Sequence, residues 1–547
     1  MARTLVIQLA RLGDVIQTTP LFQALIEEEG DAGVDALVLE AHKAVLRGLR
    51  LEKVRTLKDS ALPLSMPQLN DLVLQHRSSF EGLTEAQQVL RQLDLPVYDR
   101  VINCTYSALA SWLAPRMTRH EVAGAAILGK EWLYRHDAHI YLAARYFFRN
   151  ENWFNLVDLW RASARVARRP VTGARPHAAT DADLPFSLPI GRIIALNPGS
   201  HGSQRRWGAA EFAALAESLY GQGFVPILVG APSDTEICTA VQRVSRAPIA
   251  SFCGLTTVPQ MARLLAVSGT LVSNDTGAVH IASTTGCRVI GLFGATAYFS
   301  ETAPWSDGHI LFQTPLGTNG VNVPPHLVLA AVLASVGRLD ESELRRSLRE
   351  ERVPAWKTYF LGEQSDALGG LAYKALHAEE LDTEQVFTQA LRHIFADHLC
   401  LGVNGRSEER PAPVATILPH SELGPRIVLF TRILRDLARA ATKCRELSIH
   451  PQRESASEVS RTTGQLVRGL ERLKELAEEH AFVKPVIHFL DWKCRMMLPQ
   501  APDATFAAHQ REYTIAAEIL EQALLRTEGE NVGPIAERTA QSIAERV

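Results

Sequence analysis

A marked excess of either charge is missing from this chain: 57 lysines and arginines face 60 aspartates and glutamates over 547 residues, a formal net charge of −3. Bulk charge therefore selects neither nucleic acid nor an anionic membrane as a partner. Cysteine is sparse, at seven residues (Cys104, Cys238, Cys253, Cys287, Cys400, Cys444 and Cys494), and no CxxC pair occurs. That excludes a disulfide framework and a zinc cluster, and buried free thiols are expected. The N-terminal apolar run is broken by Gln8, Arg11 and Asp14, which makes it too short for a signal peptide core or a membrane span, so the chain is expected to stay in the cytoplasm. No repeat of fixed period is found, so a solenoid is not supported.

What is present is a βαβ rhythm. TLVIQLA at 4–10 is followed by a helical pattern from Val15 to Glu29, and VDALVLEA at 34–41 reads as the next strand. VRTLK at 54–58, a helical stretch near 80–94 and DRVINCTYS at 99–107 continue the alternation, which predicts a mostly parallel sheet. Residues 171–191 are rich in proline, alanine and polar residues and read as a linker. Beyond it RIIALNP, FVPILVG, GTLVSND and RVIGLFG alternate with helical patterns near 209–221, 234–245, 258–267 and 278–285, a second doubly wound pattern. Past about Pro324 strand signals almost vanish. Amphipathic helices are expected over 331–403 and 417–547, separated by polar breaks.

Four loops sit at the carboxyl ends of expected strands, where open α/β sheets bind ligands. Arg11-Leu12-Gly13-Asp14 opens the first helix, and Asp14 either caps that helix or serves chemistry. Asn274-Asp275-Thr276-Gly277-Ala278-Val279-His280 opens another helix. Its backbone N–H groups can cradle phosphate, Gly277 permits close approach, and Thr276 and His280 are within reach. Asn197 to Trp207 forms a small-residue loop containing Ser200, His201 and the adjacent cations Arg205 and Arg206, suited to a diphosphate or simply to a solvated turn. Gly230 to Glu236 places Asp234 where a carboxylate can accept ribose hydroxyls. The Asp181-Ala182-Asp183 pair lies in the linker rather than beside a strand, and is not read as a metal site.

The RLGDV turn, the NPGS…RRW loop and the NDTGAVH turn together resemble glycosyltransferase family 9, over roughly residues 1–320. The resemblance implies a GT-B enzyme: two Rossmann-like domains facing a cleft, with an acceptor-binding domain over 1–170, a nucleotide-sugar domain over 192–330, and an all-α region after them. It implies inverting, metal-independent transfer of a heptose-type sugar from an ADP-sugar, with no cofactor, to a saccharide acceptor of lipopolysaccharide type. By position, Asp14 corresponds to the general base, with Arg11 and Gly13 beside it on the acceptor side. Arg205 stands where many members carry a phosphate-binding lysine, next to Arg206. Ser200, His201, Thr276, Gly277 and His280 fall on donor-phosphate positions, Asp275 on a motif acid near the donor, and Asp234 on a ribose-binding position.

Two residues depart from the family pattern. Gln8 replaces a lysine and Arg11 a serine usual in enzymes of the lipopolysaccharide core, which leaves open a protein acceptor such as a flagellar or surface protein. A non-catalytic sugar-nucleotide-binding scaffold is the remaining alternative. No nucleic-acid partner is expected. The enzyme is placed either free in the cytoplasm or peripheral at the inner membrane, and the helical region is expected to serve oligomer or protein-partner contacts. The mixed signs in LVRGLERLKELAEEH lack the one-sided basic face of a lipid binder.

Overall fold

The computed structural model describes residues 3–166, 184–360 and 370–378, with short gaps at 30–32, 48, 50, 59–63, 78, 94–95, 121, 130, 135, 201 and 296. It further describes 388, 390–392, 394–396, 399, 423–449, 456–496 and 502–528. Two compact units result. The first comprises residues 1–131, 154–361 and 370–379, and the second 132–153, 362–369 and 380–547.

The first unit holds two sheets. In one, β1 (Thr4–Gln8), β2 (Val34–Leu39), β3 (Lys53–Leu57), β4 (Arg100–Asn103) and β5 (Val122–Leu128) lie in the order β3-β2-β1-β4-β5, all parallel where paired with β1, β2 and β4. All five residues of β1 are buried, because a central parallel strand is covered on both faces and reads as a continuous apolar run. Val6 sits level with Ala36 on one side and Ile102 on the other. The strand order reverses direction at β1, so the turn after Gln8 opens at a topological switch point.

Helix Leu12–Glu29 follows that turn and carries Pro20 in its interior. Proline removes the N–H that would bond the Ile16 carbonyl. Thr19 compensates, its hydroxyl donating to that same carbonyl at 2.7 Å.

The chain leaves the first unit after Glu131, the first residue of β6 (Glu131–Tyr134), and returns at Phe154 ahead of helix Leu156–Ser163. The second sheet consists of β7 (Arg192–Asn197), β8 (Phe224–Leu228), β9 (Ala250–Ser251), β10 (Thr270–Asn274), β11 (Arg288–Ala295), β12 (Ile310–Leu316), β13 (Ala355–Phe360) and β14 (Leu371–Ala375), in the order β14-β13-β12-β11-β10-β7-β8-β9. Neighbours from β12 to β9 are parallel, and β13 and β14 add an antiparallel edge. Its core gathers Leu196, Trp207, Phe212, Leu228, Val272, Ile290 and Phe312. Here the order reverses between β7 and β10, which puts the NPGS and NDTG loops side by side at a second switch point.

Helix Leu156–Ser163 is pinned within this unit. The fully buried Asp158 accepts from the Trp305 indole N–H at 2.9 Å and the Leu371 amide at 3.0 Å, while Asn155 donates to the Ala303 carbonyl at 3.1 Å.

The described residues of the second unit are mainly helical. Among its described residues are helix Asp137–Ala144 and helices Leu423–Ile449, Ala456–Glu479, Lys484–Met496 and Pro502–Glu528. Lys493 joins the segment 132–153 to the chain's far end, its ammonium lying 2.9 Å from Asp137 and 2.8 Å from the buried Glu512. Lys484 pairs with Glu151 at 3.5 Å, and the Tyr141 and Trp153 rings meet Phe395.

Two expectations of the sequence reading are corrected. The stretch 331–403 is not wholly helical: after helices Pro325–Ser335 and Glu341–Glu350, the segments AWKTYF and LAYKA form β13 and β14. Their aromatic and β-branched residues suit a sheet edge, but two short strands are outweighed by the helical patterns flanking them. Nor do residues 1–170 form one domain, because 132–153 belongs to the helical unit, held there by contacts to residues more than 200 positions away that no local pattern encodes. Residues 167–183, most of the expected linker and its DAD triplet, lie outside the described residues.

Candidate functional site

The RLGD turn is built on Gln8. This side chain is fully buried and satisfied: its amide donates to Thr18 Oγ1 at 3.0 Å, and its carbonyl oxygen accepts from Thr105 Oγ1 at 3.1 Å and the Ala10 amide at 3.3 Å. Thr105 in turn accepts from the Leu9 amide at 2.7 Å. The position that departs from the family's lysine thus shapes the turn from inside the sheet. Arg11 is exposed at its tip. Asp14 stands in the first turn of the helix, where its Oδ2 accepts from the Arg11 amide at 3.1 Å, so the capping reading is met.

Gly13 faces the other half of the unit. A Cβ built on it would lie 3.0 Å from His280 Cδ2 and 3.6 Å from Gly277 Cα. The starts of helices Leu12–Glu29 and Gly277–Ser283 therefore meet, and any side chain at position 13 would press on the His280 ring.

Asn274 organises the second half. Its Oδ1 accepts from the Trp207 amide at 2.9 Å, and its Nδ2 donates to the carbonyls of Pro198 at 3.0 Å and Gly199 at 3.2 Å. One amide thereby ties the NPGS…RRW loop to the DTG turn. Asn197 adds a second tie, accepting from the Gly199 amide at 3.0 Å and donating to Thr276 Oγ1 at 3.4 Å. Trp207 anchors the loop's end, fully buried with its indole N–H on the Val323 carbonyl at 2.8 Å. Asp234 lies against this loop: a Cβ on Gly199 would fall 2.4–2.5 Å from its carboxylate, whose Oδ2 also accepts from the Ala231 amide at 2.9 Å.

The two arginines part company. Arg205 Nη1 lies 3.6 Å from Asp275 Oδ2, whereas Arg206 turns its Nη2 to the Ser200 carbonyl at 3.2 Å. The Ser200 hydroxyl is buried without a hydrogen-bond partner. His201 lies outside the described residues.

Asp275 is the electrostatic centre of the group. Burial raises its pKa above the ordinary carboxylate value; Arg205 and the Thr302 hydroxyl, donating at 3.3 Å, pull it back, and the charges of Asp14 and Glu301 push it up again. Two carboxylates and one arginine thus act on Asp275. His280 is buried, and burial lowers its pKa to about 4, so near neutrality it is an uncharged imidazole.

Gly13, Asp14, Arg205, Asp275, Gly277 and His280 are thus brought to one place. Asn197, Asn274, Glu301 and Thr302 were missed as site residues by sequence reasoning. The two asparagines end strands just before the motif loops, a signal that was readable. Glu301 and Thr302 arrive on the crossover after β11, and no motif marks them.

Residues 87–319 match the sequence profile of glycosyltransferase family 9 (heptosyltransferase). The likeness to glycosyltransferase family 9 covers less than half of the chain. Lipooligosaccharide heptosyltransferase 2 of Campylobacter jejuni is 27% identical over 140 residues, 23% of this chain and 44% of the relative. The chain thus spans less than half the length of that relative. Lipopolysaccharide heptosyltransferase 3 of Escherichia coli is 22% identical over 55% of this chain and 84% of its own. Among solved structures, the family 9 glycosyltransferase of Veillonella parvula is 17% identical with a TM-score of 0.46, over 61% of this chain and 97% of that one.

The family 9 match includes Arg205, Asp234 and the DTG turn. Arg11, Gly13 and Asp14 precede it, so their place rests on the RLGDV motif and on the Gly13–His280 contact. Among the described residues, no three histidine, cysteine, aspartate or glutamate side chains converge as metal ligands. No helix among them is long and apolar enough to cross a membrane.

Proposed function

We propose that this chain is an inverting glycosyltransferase that moves a heptose-type sugar from an ADP-sugar to a glycan acceptor of lipopolysaccharide type. The observation that carries the reading is the meeting of Gly13 with Gly277 and His280, which sets the carboxylate of Asp14 beside the Arg205–Asp275 pair.

Asp14 takes the proton of the acceptor hydroxyl, and that oxygen forms a bond to the anomeric carbon from the face opposite the diphosphate. The bond from the anomeric carbon to the β-phosphate oxygen breaks, and ADP departs with its electron pair. Arg205, Arg206 and the Ser200 hydroxyl meet the charge that grows on the diphosphate, which lets the step proceed without a metal. Asp234, held against Gly199, receives the ribose hydroxyls.

The direct test is thermal unfolding with ADP, UDP, GDP and ADP-heptose, followed by transfer from the stabilising donor to a truncated lipopolysaccharide core. A ligand at about a hundred times its dissociation constant adds about 2.7 kcal/mol to stability. Stabilisation by ADP compounds alone with transfer to the core is expected. A response to UDP or GDP instead replaces the donor, and transfer only to a protein replaces the acceptor.

A further inference from the structure

Farther along the interface that begins at Gly13, between helices Leu12–Glu29 and Gly277–Ser283, lies a cavity of about 320 Å³ whose lining includes neither Asp14, Arg205 nor Asp275. Ile16, Gln17 and Pro20 line it from the first helix, and His280, Ser283 and Thr284 from the other. Its size reaches the range of small-molecule sites.

The lining has an unusual division of hydrogen-bonding capacity. Gln17 and His280 are 4% and 5% exposed, and Gln17 Nε2 and His280 Nδ1 have no partner. Buried polar atoms are nearly always paired, so two orphans on side chains that line one cavity point to an occupant. The hydroxyls there are already spent as donors: Ser283 on the His280 carbonyl at 2.8 Å, Thr284 on the Ile281 carbonyl at 2.8 Å, Thr19 on the Ile16 carbonyl at 2.7 Å. Ser306 follows the same rule. The Val289 amide donates to His309 Nδ1 at 3.0 Å, so Nε2 carries the proton and donates to Ser306 Oγ at 2.5 Å, and that hydroxyl donates to the Ser283 carbonyl at 3.3 Å.

These hydroxyls therefore offer lone pairs, while the Gln17 amide offers N–H donors. An occupant needs its own O–H donors and acceptors together. It needs no charge, because the charged lining residues, Arg288 and Asp307, are exposed and of opposite sign. Trp305 and Phe360 add flat apolar faces, their rings edge to face at 4.8 Å, and the Trp305 indole N–H is already engaged by Asp158.

We propose that this cavity, which shares only His280 with the transferase site, is a second binding site for an uncharged polyhydroxylated ring of monosaccharide size. The ligand seats between the helix of the first sheet and that of the second and bridges the two halves of the unit.

Saturation-transfer NMR on the full chain with D-mannose, D-galactose and myo-inositol, and with gluconate as a charged comparator, tests this. Transfer to at least one uncharged ring is expected, undiminished by saturating ADP and absent for gluconate. Gln17→Leu and Thr284→Val, each checked for native circular dichroism, are expected to weaken it at least fivefold. If Gln17→Leu fails to fold, Thr284→Val decides. No transfer to any uncharged ring, loss of transfer on adding ADP, equal transfer to gluconate, or unchanged transfer in the folded variants overturns the proposal.

Discussion

Gly13 and His280 stand so close that a single methyl group on Gly13 would lie 3.0 Å from the imidazole Cδ2. Gly13 lies within helix Leu12–Glu29 and outside the positive-φ region, so alanine there would ordinarily stabilise by about 0.5–1 kcal/mol. Overpacking against a buried ring costs about 1–3 kcal/mol, and the second effect wins. Gly13→Ala is expected to lower stability by about 1 kcal/mol and to reduce transfer more than ADP affinity, read by calorimetry and kinetics. A more stable, fully active variant would show that the two helices need not meet so closely.

Asp14→Asn separates the two roles of this residue. Asparagine caps a helix about as well as aspartate, so the bond to the Arg11 amide survives and stability stays within about 0.5 kcal/mol. Transfer is expected to fall by a factor of about 10²–10⁴, as loss of a general base requires, with ADP affinity nearly unchanged. Full activity in the variant removes Asp14 as the base.

Arg205→Ala is expected to weaken ADP binding by at least about tenfold, or about 1.4 kcal/mol. Its partner gives the opposite sign in stability. Because the folded state raises the Asp275 pKa above 3.8, the ionised form is disfavoured by folding at pH 7, and Asp275→Asn is expected to raise the melting temperature there. That gain is complete above the raised value and disappears as pH falls below about 3.8. A lower melting temperature at pH 7 would mean that Arg205 and Thr302 outweigh burial.

Buried histidines set the acid side of the stability profile. Folding lowers the pKa of His280 from 6.5 to about 4 and that of His309 to about 3, in both cases mainly through burial. The unfolded chain then binds more protons below pH 6.5, so stability is complete above that value and is lost as pH falls toward 4. At about 1.4 kcal/mol per pKa unit, the ceiling is about 3 kcal/mol for His280 and about 5 kcal/mol for His309. Melting curves between pH 7.5 and 4.5 should show the decline, and a flat profile would mean that neither ring is buried as described.

Lys493→Met tests the helical unit. The substitution removes the cation that Asp137 and the buried Glu512 share, leaving Glu512 its Arg511 contact at 3.2 Å, and breaking such a buried pair costs about 3–5 kcal/mol. Hydrogen exchange should rise in helices Asp137–Ala144 and Pro502–Glu528, while nucleotide-induced stabilisation of the α/β unit persists. Unchanged exchange in these helices would show that the triad carries little of the unit's stability.

Much of the α/β unit was legible because parallel strands and their helices carry local periodicities. Helix Ala209–Gly221 appears at the bounds its pattern predicts, and Val258–Ser268 within a residue. The RLGD and NDTG turns were legible for the same reason, since a strand end followed by a helix start is a sequence-local event. Their mutual contact was not, because nothing near Gly13 in the chain specifies His280. Asp158, which holds Trp305 and the Leu371 amide, is marked by no motif in the sequence.

Lys493 holds Asp137 across 356 positions of sequence. On the ribosome, Asp137 emerges long before Lys493 and helix Pro502–Glu528, and cannot make these contacts until those residues have been made. The helical unit therefore completes late in synthesis, around a strip of chain whose two flanks already belong to a different core. A gene fragment that stops after the second sheet would release a protein with that strip exposed, so shortening the polypeptide is not equivalent to removing a module.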